Sequence, residues 1–376
     1  MTPHEFMQKQ SLPYSAKLIH AELRAREFYE KLDGDVFCSV GGLDSIMLLK
    51  WLRKVVSKTI PGVSVSKLED KSNQAVHGTF DNFVFLNPLK SKVQVIKDHG
   101  YPVISKEKAG KIQMLQNPTE RNVTVRHAIM TGETGAYGGY RTRETGSRMR
   151  LPQKWLDLFG GPENEKYGTN YKTAPFKVSP DCCYYMKERP CDLYAKQTKR
   201  KPYMALMASE GGQREKALMK HGCNYYGKTT TRSCPFAIFS RQDILQLALD
   251  MDYDWKHGDK QEAERIARLE ERLGADERFP ESLVPAIYGT IERNEKGELY
   301  TTRAQRTGCT MCGFGIHIEK RPHRFDRLRE DNPKEWAFWM YDMGWGAALD
   351  YIGVGWEDEV KVEKEQEEQY SLFTAI

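Results

Sequence analysis

Asp35-Val36-Phe37-Cys38-Ser39-Val40-Gly41-Gly42-Leu43-Asp44-Ser45 joins a short apolar run to a pair of glycines and the start of an apolar-faced segment. Residues 35 to 39 follow Gly34 and suit a buried strand of a parallel sheet, which Gly41-Gly42 then interrupts. From Ser45 to Val56 the residues Ile46, Leu48, Leu49, Leu52, Val55 and Val56 make the wide apolar face that a helix lays against a sheet. Strand, glycine turn and helix in this order bring backbone N–H groups and the positive end of a helix dipole to one point, and glycine lets phosphate come close. A purely structural tight turn uses the same glycines.

Working outward, Ala16 to Leu32 places Leu18, Ala21, Ala25, Phe28 and Leu32 at steps of three and four, an amphipathic helix. Further strands are expected at Gly62 to Val65 and Asn82 to Leu86, the second running into a helical stretch from Lys90 to His99. The alternation implies βαβ units and an α/β fold. Between Asn117 and Arg150 the composition turns to Gly, Thr and Arg, which predicts a long loop or lid. Gln261 to Leu273 reads as an inserted surface helix. The organisation expected is residues 1–115 as the first half of the α/β domain that carries the glycine turn, 116–180 as a loop or lid insertion and 181–255 as the remainder of that domain. Residues 256–356 follow as a mostly helical, loop-rich region with a Cys-x-x-Cys segment, then 357–376 as an acidic tail.

Net charge is +5, with Lys and Arg crowded at Arg141 to Arg150 and Lys196 to Lys201. That surplus suits a phosphate-bearing ligand, small or polymeric, and ordinary solvated charge gives the same runs. No apolar run approaches the roughly 20 residues of a spanning helix, and Met1 to Phe6 has no basic region leading to an apolar stretch, so a cytoplasmic protein with no membrane partner is expected.

Eight cysteines are too few for a disulfide scaffold in a chain of 376 residues. Cys309-Thr310-Met311-Cys312, flanked by Gly308 and Gly313, has the spacing that aims two thiolates at one metal, and the adjacent Cys182-Cys183 pair supplies two more. A 4Fe-4S cluster, zinc, a redox disulfide at Cys309 and Cys312, and buried free thiols all remain compatible with this pattern. Cys38, Cys191 and Cys234 sit singly beside apolar or aromatic residues and read as inert; Cys223, preceded by Gly222, is a reserve ligand.

Ser39-Val40-Gly41-Gly42-Leu43-Asp44-Ser45 resembles the PP-loop, Ser-Gly-Gly-x-Asp-Ser, of enzymes that split ATP between its α and β phosphates and of their sulfonucleotide-binding relatives. Val40 stands where the motif has its first serine and Leu43 where lysine is common, so Ser39 substitutes from one position upstream and nucleotide binding leans on the backbone. Further stretches are similar to the phosphoadenosine-phosphosulfate-reductase-like family of phages and mobile elements. They include Tyr101 to Lys106, Cys182 to Pro190, Gly222-Cys223-Asn224, Ser233-Cys234-Pro235-Phe236, Ile287-Tyr288-Gly289, Arg306 to His317 and Leu349 to Val354. The resemblance implies a Rossmann-like, doubly wound parallel sheet of the PP-loop type.

It also implies roles. Ser39, Gly41, Gly42, Asp44 and Ser45 would hold the phosphates of ATP or a sulfonucleotide, Asp44 and Ser45 also orienting Mg2+. The likeness of the two cysteine pairs to adenylylsulfate reductases favours iron-sulfur over zinc on Cys182, Cys183, Cys309 and Cys312, with Lys187 and Arg189 beside the cluster or the substrate's anionic groups. In Ser209-Glu210-Gly211-Gly212-Gln213-Arg214, an acid and an arginine would approach the nucleotide; an ion pair between Glu210 and Arg214 is the competing explanation. Asp44, Ser45, Lys187 and Arg214 are the expected catalytic groups. No cysteine follows Cys312, so the thiol nucleophile of the sulfonucleotide reductases is missing. The expected activity is adenylylation-dependent sulfur transfer, as in DNA phosphorothioation and tRNA thiolation relatives, with a nucleic-acid acceptor and a sulfur donor or thiol reductant protein as partners. The competing functions are a sulfonucleotide reductase using an external thiol and a non-catalytic nucleotide sensor or nucleic-acid-binding module in phage defence.

Overall fold

The computed structural model describes residues 3–133, 149–161, 173–258 and 280–357, with isolated positions between 264 and 271. Most of the expected surface helix at 261–273, the arginine-rich positions 141–148 and the acidic tail from 358 lie outside the described residues. The chain is mixed α/β. Its strands include β1 (Val36–Ser39), β2 (Gly62–Ser64), β3 (Phe83–Phe85), β4 (Val103–Ile104), β5 (Lys201–Tyr203), β6 (Asn224–Tyr226) and β7 (Thr231–Ser233). It divides into two units, one of residues 1–89 with 186–310, the other of residues 90–185 with 311–376.

In the first unit the order β3-β2-β1-β5-β7-β6 makes a six-stranded sheet. All neighbours are parallel except β6, which runs antiparallel to β7. Register is set by Cys38 opposite Gly62 and Val36 opposite Lys201. Gly62 is required there, since a β-carbon on it would lie 2.5 Å from the Phe83 ring and 2.7 Å from Leu49. The helix Leu43–Val55 buries Leu43, Ile46, Met47, Leu48, Leu49, Trp51 and Leu52, an apolar surface nearly all round that matches a position within the core. Asp44 in its first turn and Arg53 and Lys54 in its last turn complement the helix dipole. The helix Arg241–His257 starts with a capping box of Ser240 and Asp243. A buried ion pair, Lys17 Nζ to Asp243 Oδ2 at 2.7 Å, ties that start to the helix Tyr14–Lys31. After β5 the chain leaves the sheet: the strand ends at Tyr203, Met204 N–H makes one last bond to Ser233 O, and Met204 to Leu206 go on to line a cavity.

The second unit has its own core of Ile112, Trp155, Leu156, Phe159, Val178, Phe325, Trp345 and Leu349, among others. β4 pairs in parallel with Gly313–Phe314. Where the composition predicts loop from Asn117, the structure forms a helix over Val123–Thr131: Ile129 and Met130 are buried, and Gly132 ends it at φ 83. A second helix follows at Gln153–Phe159, burying Trp155, Leu156 and Phe159. Among the described residues, no helix is long and apolar enough to cross a membrane.

Candidate functional site

In a sheet ordered β3-β2-β1-β5-β7, the connections from β1 and β5 run to opposite sides, and a crevice opens beyond their carboxyl ends. An open cavity of about 320 Å³ lies there, lined by Ser39 and Gly42 to Ser45 after β1 and by Met204, Ala205 and Leu206 after β5. Its other walls bring in Glu210, Arg214, Arg241, Tyr288, Arg306 and Thr307.

The turn between β1 and its helix is fixed by its own side chains. Gly41 N–H donates to Ser45 Oγ at 2.7 Å, and the Ser45 hydroxyl donates to Gly42 O at 2.9 Å. His77, fully buried, donates Nε2–H to Gly41 O at 2.8 Å, and its ring stacks on Phe83 at 5.1 Å. A carbonyl only accepts, so the proton is on Nε2; burial lowers the pKa of this imidazole and keeps it neutral. Leu43 N–H donates to Tyr288 Oη at 3.0 Å. The N–H groups of Gly42 and Asp44 have no acceptor among the described residues and remain available to an anion.

Charge in the cavity favours an anion, with the arginines Arg214, Arg241 and Arg306 set against the carboxylates Asp44 and Glu210. Glu210 pairs with Arg214, four residues on and across the Gly211-Gly212 turn, and with Arg306 at 3.0 Å, so the competing ion pair exists and still faces the cavity. Arg241 Nη1 lies 2.6 Å from Asp44 Oδ1, and its Nη2 donates to Gln305 O at 2.9 Å. Burial raises the Asp44 pKa, Arg241 opposes that, and the charge of Glu210 adds to it.

Lys187 sits beside this turn. Its Nζ lies 2.5 Å from Oε1 of the buried Glu69, whose carboxylate would be 3.2 Å from a β-carbon on Gly41. Burial opposes the ammonium, but hydrogen bonding and charge from Cys309 and Glu69 outweigh it, and the Lys187 pKa is raised. The Lys187 ammonium thus lies beside the Cys309 sulfur. Cys191, read from sequence as inert, hydrogen-bonds Ser39, and burial raises its pKa to about 11.

The other cysteines divide between the units. Cys309 belongs to the first, and Cys182, Cys183 and Cys312 to the second. Cys223 lies in the first unit beside Cys234, whose N–H donates to Cys223 O at 2.7 Å; burial holds their thiols at about 11 and 12. None of the eight is joined in a disulfide. Among the described residues no group of three or more His, Cys, Asp and Glu side chains is gathered as a metal ion would need.

The chain matches no protein-family model, no curated protein and no solved structure. The site therefore stands on its own geometry. Sequence reasoning missed Arg241, Glu69 and His77 as parts of it. Arg241 had a signal in the Ser240-x-x-Asp243 capping pattern that marks a helix start, while Glu69 and His77 come from the β2–β3 connection and carry none. Arg189 lies in the same unit, at the start of the helix Arg189–Thr198, without lining the cavity.

Proposed function

We propose that the chain is a PP-loop enzyme of the phosphoadenosine-phosphosulfate-reductase-like kind, which binds ATP or a related adenine nucleotide beyond β1 and β5. Its activity is adenylylation-dependent sulfur transfer. The observation that carries this is the arginine-rich cavity at the reversal of strand order, with unspent N–H groups of Gly42 and Asp44 at a helix start. Ser39, Ser45, Arg214, Arg241 and Arg306 orient the phosphates, and Met204 to Leu206 offer backbone and apolar contact to the base. Arginine there stabilises charge that builds on phosphate oxygens as the bond between the α and β phosphates breaks. Glu210 keeps Arg214 and Arg306 extended towards that position.

The iron-sulfur assignment to Cys182, Cys183, Cys309 and Cys312 belongs to the same proposal, with Cys223 in reserve and zinc as the alternative metal. Cysteines outside any disulfide and the Lys187 ammonium at Cys309 fit such a group. A cluster would supply electrons or sulfide when bound; Lys187, itself held by Glu69, would lie beside Cys309 with either metal. A nucleic-acid acceptor and a sulfur donor protein complete the proposed reaction.

ATP–pyrophosphate exchange tests the activity. Exchange that needs Arg241 and Arg214 is expected, and ATP binding with no exchange points instead to a nucleotide sensor. The Arg241–Asp44 pair favours that second reading, because it neutralises the carboxylate that would otherwise hold Mg2+. Sulfite release from phosphoadenosine phosphosulfate with an added thiol would identify a reductase. No binding of any adenine nucleotide removes the whole proposal.

A further inference from the structure

Tyr288 occupies the place where an anion belongs. Its side chain is 3% exposed, and its hydroxyl oxygen accepts the N–H of Leu43, the first residue of the helix that leaves the glycine turn. The same hydroxyl lies 2.6 Å from Thr307 Oγ1, so two oxygens stand side by side at the helix start. A β-carbon on Gly42 would come within 2.5 Å of Tyr288 Oη and 2.8 Å of Thr307 Oγ1. The space that glycine leaves open is therefore filled by these hydroxyls. Burial keeps the phenol protonated, and a neutral oxygen satisfies a helix start less well than a phosphate or sulfate oxygen does.

We propose that Tyr288 is a built-in occupant of the anion position: its hydroxyl stands in for an oxyanion oxygen of the ligand, and its displacement sets the affinity of the cavity for phosphate and sulfate groups. The inference rests on the nucleotide reading of this cavity and adds its regulation. Bound ligand and bound tyrosine compete for one N–H, so the apparent affinity falls by the fraction of molecules in which Tyr288 is seated. Thr307 has somewhere to turn when Tyr288 leaves. Asn73, fully buried, donates Nδ2–H to Thr307 Oγ1 at 3.4 Å while its Oδ1 has no partner, and a flip of that amide gives the Thr307 hydroxyl a new acceptor.

Calorimetric titration of inorganic pyrophosphate and of ATP into wild type, Tyr288→Phe and Thr307→Val tests this. Tyr288→Phe removes the competing oxygen and is expected to bind both anions roughly five- to tenfold tighter, the factor that one net hydrogen bond is worth. Its unliganded form should melt lower than wild type and gain more on ligand addition, because Leu43 N–H then waits for a partner. Thr307→Val should move affinity the same way by less. Equal or weaker binding by a folded Tyr288→Phe overturns the proposal; should that variant not fold, Thr307→Val decides it, a gain supporting and no gain overturning. Binding by Tyr288→Phe but not by wild type supports it strongly. Binding by neither removes the nucleotide reading itself, and this inference with it.

Discussion

Arg241 Nη1 lies 2.6 Å from Asp44 Oδ1, at the edge of the cavity where the glycine turn meets the start of the Leu43–Val55 helix. The pair joins two helix starts and leaves Asp44 with 27% of its side chain exposed. Removing the guanidinium leaves a carboxylate facing the ligand's phosphates. Arg241→Gln is therefore expected to weaken ATP binding by at least about tenfold, the range for a hydrogen bond to a charged group. Asp44→Asn releases Arg241 and should keep or raise affinity measured without Mg2+. Arg241→Gln binding like wild type would show that the pair does not face the nucleotide.

Lys187 and Cys309 give the metal question a direct handle. Anaerobically purified wild type is expected to carry iron with the broad visible absorbance of a cluster, Cys309→Ser to lose it, and Lys187→Met to hold less. Zinc or no metal in wild type removes the iron-sulfur assignment and leaves the nucleotide site untouched.

His77 makes stability depend on pH in a definite direction. Burial lowers its pKa, so the folded chain binds fewer protons than the unfolded chain. The contribution is complete above the unfolded value of about 6.5 and is lost as pH falls below it. His20 is pushed down to about 4 by burial, with the charges of Lys9 and Arg24 helping, and works over the same range. Urea midpoints should fall between about pH 7.5 and pH 5. His77→Gln, which keeps a donor for Gly41 O, should shrink that fall without abolishing it. An unchanged pH dependence in this variant would show that His77 does not titrate on unfolding.

The Lys17–Asp243 pair should be expensive to break from one side. With side chains 6% and 10% exposed, Lys17→Met strands a carboxylate that also caps a helix. A loss of about 3–5 kcal/mol by chemical denaturation is expected. Lys17→Met with Asp243→Asn should recover part of it. A single-variant loss under about 1 kcal/mol would mean that the pair is solvated like a surface bridge.

Gly62→Ala tests the packing between β2 and β3. The added methyl collides with Phe83 and Leu49, so a loss of about 1–3 kcal/mol is expected from overpacking. Phe83→Leu in the same chain should restore some of it.

Much of the first unit was legible because short apolar runs and the 3.6-residue spacing of helix faces are short-range signals. The helix at 14–31, the strands at 36–39, 62–64 and 83–85, and the helix at 43–55 fall within a few residues of where apolar spacing puts them. Glu210 and Arg214, which line the cavity, lie within a motif of six consecutive residues and so could be read together. What was illegible is long-range. Tyr288 and Thr307 were noticed only as members of longer motifs, and their packing against Gly42 follows from tertiary contact that no spacing encodes. Val123–Thr131 escaped because the Gly- and Arg-rich composition around it masks a short apolar helix face.

The register of Val36 opposite Lys201 has a consequence for how the chain is made. β1 meets β2 soon after synthesis, whereas its other neighbour emerges only once the whole intervening segment has left the ribosome. Until then one side of the central strand is an unpaired edge able to capture other strands, and chains stalled or truncated before β5 should aggregate or be held by chaperones. Completion of the sheet is a late, slow closure across a long loop. Because Met204 to Leu206 follow β5, and Arg241, Tyr288, Arg306 and Thr307 come later still, the cavity is assembled only after that closure.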